Sequence, residues 1–133
     1  MKAVSAKPTR ALNIGSILEA CDNSGARIVK ITGVKHCKTS KGRMTYAKIG
    51  DQVKVSVRKG DPKMKGELFD AVLVRQRKPW KRNTGERICF SDNAVVLLKD
   101  EKGNPKGTQI KGAIAREIQE RWKEVARLAS TVY

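Results

Sequence analysis

Short runs of β-branched and aliphatic residues, each ended by turn-forming residues, constrain the fold of this chain more than any other feature. The runs cover residues 17–21, 26–34, 53–57, 69–74, 88–90 and 94–98. In the third run Val53, Val55 and Val57 alternate with polar residues, which is the period of a strand with one buried face. Asp22-Asn23-Ser24-Gly25 fits a hairpin turn between the first two runs. This pattern predicts a mainly β protein, a small closed or partly closed antiparallel β-barrel.

The pattern becomes helical after residue 98. An irregular loop at 100–107 is followed by apolar residues at spacings of three and four, which form one helical stripe. The stripe consists of Ile114, Ile118, Trp122, Val125 and Leu128 or Ala129. We predict a helical segment at about 112–129, as one helix or two short ones, packed against the barrel. The predicted domain spans 14–133, and the polar, proline-containing residues 1–13 are expected to be an extension that orders on a partner.

The charge of the chain is strongly basic and unevenly distributed. Lys and Arg number 29 against 13 acidic residues, a net charge of +16. Residues 1–85 hold 20 basic and 6 acidic residues, whereas residues 86–133 hold 9 and 7. Segments 23–50 and 75–85 contain no acidic residue at all. A single basic run is usually a solvated face, but two acid-free clusters favour a polyanionic partner. No basic amphipathic helix accompanies them, so a membrane surface is not indicated.

The basic clusters predict binding to nucleic acid. Trp80 lies among the basic residues 75–85, where it would either stack on an unpaired base or ribose or cover the end of the barrel. Aromatic residues make up only 5% of the chain, so affinity should come from phosphates and RNA shape. The candidate RNA-binding residues are Lys38, Lys41, Arg43, Lys48, Lys59, Lys63, Lys65, Arg75, Arg77, Lys78, Trp80, Lys81 and Arg82.

The residues that usually carry catalysis or bind metals are sparse. Cys21, Cys37 and Cys89 have no paired spacing, which suits unlinked thiols in a reduced, cytosolic protein and predicts no metal. His36 beside Cys37 lacks a nearby acidic residue to orient it. The sequence has neither a phosphate-binding loop nor a nucleophile elbow. We therefore predict a protein that is not an enzyme and has no cofactor and no small-molecule substrate.

Several segments in order resemble the large-subunit ribosomal protein L-fourteen family (the universal uL-fourteen). They are residues 22–26 (DNSGA), 71–75 (AVLVR), 85–98 (GERICFSDNAVVLL), Gly107-Thr108, Gly112 and Arg116-Glu117. Residues 1–13 and 113–118 look like archaeal and eukaryotic members, and we expect an archaeal-type protein. Thr84 departs from the Asp, Asn or Ser that the family often has before the glycine of its basic hairpin.

The resemblance implies a five-stranded barrel with a projecting basic hairpin and short C-terminal helices. It implies a cytoplasmic structural protein on the subunit-joining face of the large ribosomal subunit. There it would bind large-subunit (23S) rRNA, meet small-subunit (16S) rRNA at an intersubunit bridge, and contact ribosomal proteins of the L-three and L-twenty-four-e types. An anti-association initiation factor would dock on its C-terminal region.

The last third of the chain suits a protein partner, because its net charge is small and its helix carries mixed charges. Together with the resemblance, this predicts a protein-partner surface of Thr108, Gln109, Lys111, Arg116, Glu117, Glu120, Arg121 and Glu124. Two other functions remain open. One is a free-standing barrel module such as an RNA chaperone or translation factor, for which an excess of aromatic residues would be the distinguishing feature. The other is an enzyme acting on RNA.

Overall fold

The computed structural model describes residues 2–37, 41–42 and 44–133. Its ten strands and two helices are, in chain order, β1 Ala6–Lys7, β2 Ile17–Ala20, β3 Ala26–Val34, β4 Gln52–Gly60, β5 Leu68–Arg75, β6 Trp80–Arg82, β7 Arg87–Ile88, β8 Ala94–Leu97, β9 Ala113–Ile114, α1 Glu117–Arg121, α2 Lys123–Leu128 and β10 Thr131–Val132. No helix in these segments is long and apolar enough to span a bilayer.

Five strands close into the predicted barrel, in the order β2-β3-β4-β5-β8. Four pairs are antiparallel, but β2 and β8 close the ring as a parallel pair, with Glu19 opposite Ala94. The predicted fold class is confirmed, and the barrel departs from the expected antiparallel pairing at this one pair. The reason is geometric: strand direction cannot alternate all the way around a ring of five, so one pair must be parallel.

The barrel has two apolar layers, one inside the ring and one outside it. Val53, Val55 and Val57 point into the ring and are buried, as their alternation predicts. On β5 and β8 both faces are buried, which explains their continuous apolar sequences: Leu73 points inward, whereas Val72 faces the outer layer. The C-terminal segment supplies the cover for that outer layer.

The C-terminal segment forms two short helices, the second of the two predicted alternatives, and not a single helix. The break between α1 and α2 is at Trp122, whose φ of −123° and ψ of 72° are not helical. Ile114, Ile118, Trp122 and Val125 of the predicted stripe are all buried in the outer layer, but Ile114 lies in β9, so the helical part begins at Glu117 and not near residue 112. Nearby, β9 pairs in parallel with β10. The segment therefore covers β5 and β8 as a strand, two helical turns and a second strand.

A second, smaller sheet stands beside the barrel and has the order β1-β6-β7. Strands β6 and β7 form the basic hairpin, and β1 pairs with β6 through Ala6 opposite Arg82. The N-terminal segment also contacts the barrel region, because Leu12 forms an antiparallel bridge with Ala47. The segment expected to be an extension thus supplies the third strand of this sheet.

Candidate nucleic-acid interface

The hairpin region presents three of the predicted RNA-binding side chains on the surface, Arg77, Lys78 and Lys81. Its base is held to the rest of the molecule: the Arg77 amide donates to Asn93 Oδ1 (2.8 Å), and Gln76, which is fully buried, donates to the Lys78 carbonyl (2.9 Å). Lys78 Nζ donates to the Arg10 carbonyl (2.9 Å). These cations are therefore displayed from a backbone that is already fixed before any ligand arrives.

The end of β4 and its connection to β5 present a second basic group, the exposed Lys59, Lys63 and Lys65. This turn is closed by its own backbone: the amides of Met64 and Lys65 both donate to the Asp61 carbonyl (3.0 and 3.1 Å). Met64 is buried and anchors the turn to the barrel interior. The three lysines thus point to solvent from an ordered turn.

The loop before β4 holds the remaining candidates. Lys41 is exposed and Lys48 is half-buried. Lys38 and Arg43, which the sequence also predicts to bind RNA, lie outside the described residues.

Two candidates in the hairpin do not face solvent. Trp80 is 1% exposed and Arg82 is 6% exposed, so the structure does not present either side chain, both predicted to bind RNA, on the surface. Of the two alternatives for Trp80, packing within the molecule is the one found, against Phe90 with ring centroids 5.9 Å apart. The cause is strand alternation: the first and last side chains of β6, Trp80 and Arg82, are buried, whereas the middle one, Lys81, is exposed.

Trp80 and Arg82 both bind Glu117, a residue predicted for the protein-partner surface but only 3% exposed. Arg82 Nε donates to Glu117 Oε1 (2.8 Å) and Nη2 to Oε2 (3.2 Å), and Trp80 Nε1 donates to Oε1 (3.0 Å). Arg82 also donates to the Tyr133 carbonyl. The hairpin, α1 and the C-terminus meet at this one buried carboxylate.

The bonds to Glu117 decide its ionisation. Burial by itself raises the pKa of Glu117, but the hydrogen bonds from Arg82 and Trp80 outweigh it and leave the pKa below the ordinary value of 4.5. The carboxylate is therefore charged at neutral pH, and its charge balances the buried guanidinium.

Arg75 also binds the protein itself. Its Nη1 donates to the carbonyls of Lys111 (2.9 Å) and Ala113 (3.0 Å), and its Nη2 donates to Asp92 Oδ2 (3.0 Å). A Cβ on Gly112 would lie 2.6 Å from Nη1, so a larger residue at 112 would displace this guanidinium. Arg75, predicted to bind RNA, thus fixes the chain before β9 in this structure.

The predicted protein-partner surface likewise contains both exposed side chains and side chains that bind within the molecule. Thr108, Gln109, Lys111, Arg116 and Glu124 are exposed, and Glu120 is half-buried. Arg121 turns back to the barrel and pairs with Asp51 (3.2 Å).

Asn23 fixes the exposed loop of that surface, a role the sequence did not indicate. Its Oδ1 accepts from the amides of Thr108 (2.7 Å) and Gln109 (3.1 Å), while its Nδ2 donates to Thr108 Oγ1 (2.8 Å). Gly107 is closely packed there, because an added Cβ would lie 2.6 Å from Asn23 Oδ1. The local sequence of residues 22–26 predicts a turn, but it does not indicate that Asn23 contacts a loop 85 residues away.

The three cysteines are free thiols in different environments. Cys21 is buried, Cys37 is half-buried and Cys89 is exposed. Burial raises the pKa of Cys21 to about 12, against a smaller opposing effect of Arg75. Within the described ranges, no three His, Cys, Asp or Glu residues are grouped closely enough to hold a metal ion.

Comparison with known proteins gives one consistent match. The profile of the family "Ribosomal protein L14p/L23e" matches residues 11–133. The chain is 52% identical over 132 residues to "Large ribosomal subunit protein uL14" of Nanoarchaeum equitans, covering 99% of each chain. It is 44% and 43% identical, with the same coverage, to the proteins of that name from Methanothrix thermoacetophila and Haloarcula marismortui.

Proposed function

The chain belongs to the ribosomal protein L14p/L23e family, and from this premise we propose how its surface is divided between RNA and protein partners. A member of this family is a structural protein of the large ribosomal subunit and not an enzyme. Our proposal is that the exposed basic residues in the first part of the chain bind large-subunit (23S) rRNA, and that the loop 105–111 with α1 and α2 binds protein.

The observation that carries the RNA half of the proposal is the exposure of unpaired cations on ordered turns. Lys59, Lys63 and Lys65 form no ion pair with any described residue, and the same holds for Arg77 and Lys78. Cations presented in this way can neutralise phosphates and release the counterions condensed on RNA. A free-standing RNA-binding module would need exposed aromatic rings on which bases stack. Both tryptophans are buried and cannot serve in this way.

The protein half rests on the mixed charge of the last third. Exposed Lys111 and Arg116 are followed by half-buried Glu120 and exposed Glu124, and such mixed charge gives specificity with a protein better than affinity for phosphate. We assign to this side the anti-association factor and the neighbouring proteins of the L-three and L-twenty-four-e types. A bridge to small-subunit (16S) rRNA completes the proposed role in the cytoplasmic ribosome.

Titration of deproteinised large-subunit rRNA at several salt concentrations tests the RNA half. We expect the triple variant Lys59→Gln, Lys63→Gln, Lys65→Gln to make the slope of log K against log salt shallower by about 0.7–0.9 per lost contact. The control is Lys99→Gln, Lys102→Gln, Lys123→Gln, which removes the same charge from exposed positions in the last third. Equal changes in both variants would show that net charge alone, and not this face, drives binding.

A further inference from the structure

Three cations form a straight row across the small sheet. Lys7 on β1 lies directly opposite Lys81 on β6, and Lys81 lies directly opposite Arg87 on β7. Residues directly opposite one another in adjacent strands project to the same face. All three side chains are exposed. The alternate positions of β6 project to the other face, where Trp80 and Arg82 are buried.

The row is electrostatically unfavourable in the free protein. Like charges directly opposite in a sheet destabilise it, and adjacent strands are only about 4.8 Å apart. This spacing is shorter than the screening length of about 8 Å at physiological salt. No ion pair in the described part of the chain involves Lys7, Lys81 or Arg87. The arrangement therefore leaves a concentrated positive field that an anion would neutralise.

The row borders a groove and stands on a fixed support. The groove has a volume of about 390 Å³ and is lined by the three cations together with Thr9, Pro79 and Asn83, among others. Thr9 Oγ1 donates to the Pro79 carbonyl (2.8 Å), which ties the end of β1 to the start of β6. Behind the sheet, the Arg82–Glu117 pair fixes the hairpin. Little ordering is thus needed when a ligand binds, and this lowers the entropic cost of binding.

We propose that this row, Lys7–Lys81–Arg87, binds the phosphodiester backbone of one RNA strand. The N-terminal strand β1 is then part of the RNA site, because it supplies one of the three cations. The inference rests on the proposed function and deepens it by naming the site and the group recognised.

RNA fits the row better than an acidic protein does. Protein interfaces are centred on apolar or aromatic anchors with charges at the rim, whereas the centre of this row is Lys81 and the aromatic ring beside it is buried. A line of cations matches a repeating anion. Arg77 and Lys78, exposed just before β6, extend the positive field toward the barrel. Phosphates along a chain can occupy several of these positions at once.

The test compares the triple variant Lys7→Gln, Lys81→Gln, Arg87→Gln with the control Lys99→Gln, Lys102→Gln, Lys123→Gln. Both lose three charges from exposed positions. The probe is deproteinised large-subunit rRNA, titrated at several salt concentrations. We expect the row variant to have a slope shallower by about 2 and the control slope to change little. The single variant Lys7→Gln should account for about one contact, a change of about 0.7–0.9.

The outcomes separate this inference from the proposed function. A row variant that binds like its control, while the parent protein binds with a steep salt slope, would overturn the inference and leave the proposed function intact. A parent protein without salt-dependent rRNA binding would overturn both. A row variant that keeps its rRNA slope but loses an acidic protein from purified large subunits would assign the row to that protein instead.

A second measurement guards against misfolding. Because the row is repulsive in the free protein, Lys81→Gln should unfold at a slightly higher urea concentration than the parent while binding rRNA more weakly. Weaker binding together with a clear loss of stability would mean that the side chain supports the sheet, and the inference would fail.

Discussion

Glu117 is the side chain on which the join between the hairpin and the C-terminal segment depends. Its carboxylate is bonded to Arg82 and Trp80 across more than 30 residues of sequence. We expect Glu117→Gln to destabilise the fold by about 3–5 kcal/mol, because it leaves the Arg82 guanidinium buried without a counter-charge. Urea unfolding measures the loss. Glu124→Gln is the matched control, since its exposed pair with Arg127 should contribute no more than about 1 kcal/mol.

Because of the same carboxylate, we expect the free energy of unfolding to fall at acid pH. The pKa of Glu117 is lower in the folded chain than its ordinary value of 4.5. Its contribution is therefore fully present above that value and is lost as the pH falls through the folded pKa. Unfolding free energies measured from about pH 7 down to about pH 3 should fall less steeply in Glu117→Gln than in the parent. Identical acid limbs in the two proteins would show that this carboxylate does not ionise as described.

The thiols should react in the order of their exposure. At mildly alkaline pH, iodoacetamide followed by mass spectrometry should label Cys89 first and Cys37 next. Cys21 should remain unlabelled until the protein unfolds, because it is buried and burial raises its pKa to about 12. Rapid labelling of Cys21 in the folded protein would contradict the packing of β2 against β8.

Among the strands and loops, the hairpin shows where sequence reasoning stopped. Of the five basic residues in the acid-free cluster 75–85, Arg77, Lys78 and Lys81 are exposed. The cluster could not show that Trp80 and Arg82 turn inward, because a three-residue strand is too short to reveal its alternation. Which face is buried depends on α1, and this helix comes from a distant part of the chain. Buried polar groups find partners, but the sequence does not say which ones.

The loop before β9 is the element whose order depends most on a single amide. We expect Asn23→Ala to speed hydrogen exchange at the Thr108 and Gln109 amides, since both lose their acceptor. It should also weaken docking of the anti-association factor without changing rRNA affinity. Gln119→Ala, which truncates an exposed amide on α1, serves as the control for exchange at these two positions. Unchanged exchange in Asn23→Ala would show that the loop is held by other contacts.

Across the molecule, the sequence predicted the barrel but not which strands pair to close it, or in which direction. Period-two alternation in β4 and the continuous apolar runs of β5 and β8 identified strands with one and two buried faces. The parallel β2–β8 pair follows from the number of strands, which local patterns do not fix. The pairing of β1 with β6 was also missed, because a two-residue strand in a polar segment carries no apolar period.

The division of charge along the sequence becomes a division of surface in three dimensions. The exposed cations of the β4–β5 turn and the small sheet form no ion pair with the residues that the structure describes, while most ion pairs involve residues of the last third, such as Glu117 and Arg121. Most of the paired charges hold the fold together, and the cations of the β4–β5 turn and the small sheet remain available to phosphate. We therefore assign an RNA partner to one part of this small domain and protein partners to the other.

Protein–RNA cross-linking of intact large subunits, with the linked peptides identified by mass spectrometry, tests this division most directly. The account predicts cross-links to large-subunit rRNA at residues 59–65, at Arg77 to Lys81 and at Lys7, and few at 108–128. Cross-links concentrated in 108–128, with none at the β4–β5 turn or the small sheet, would contradict it.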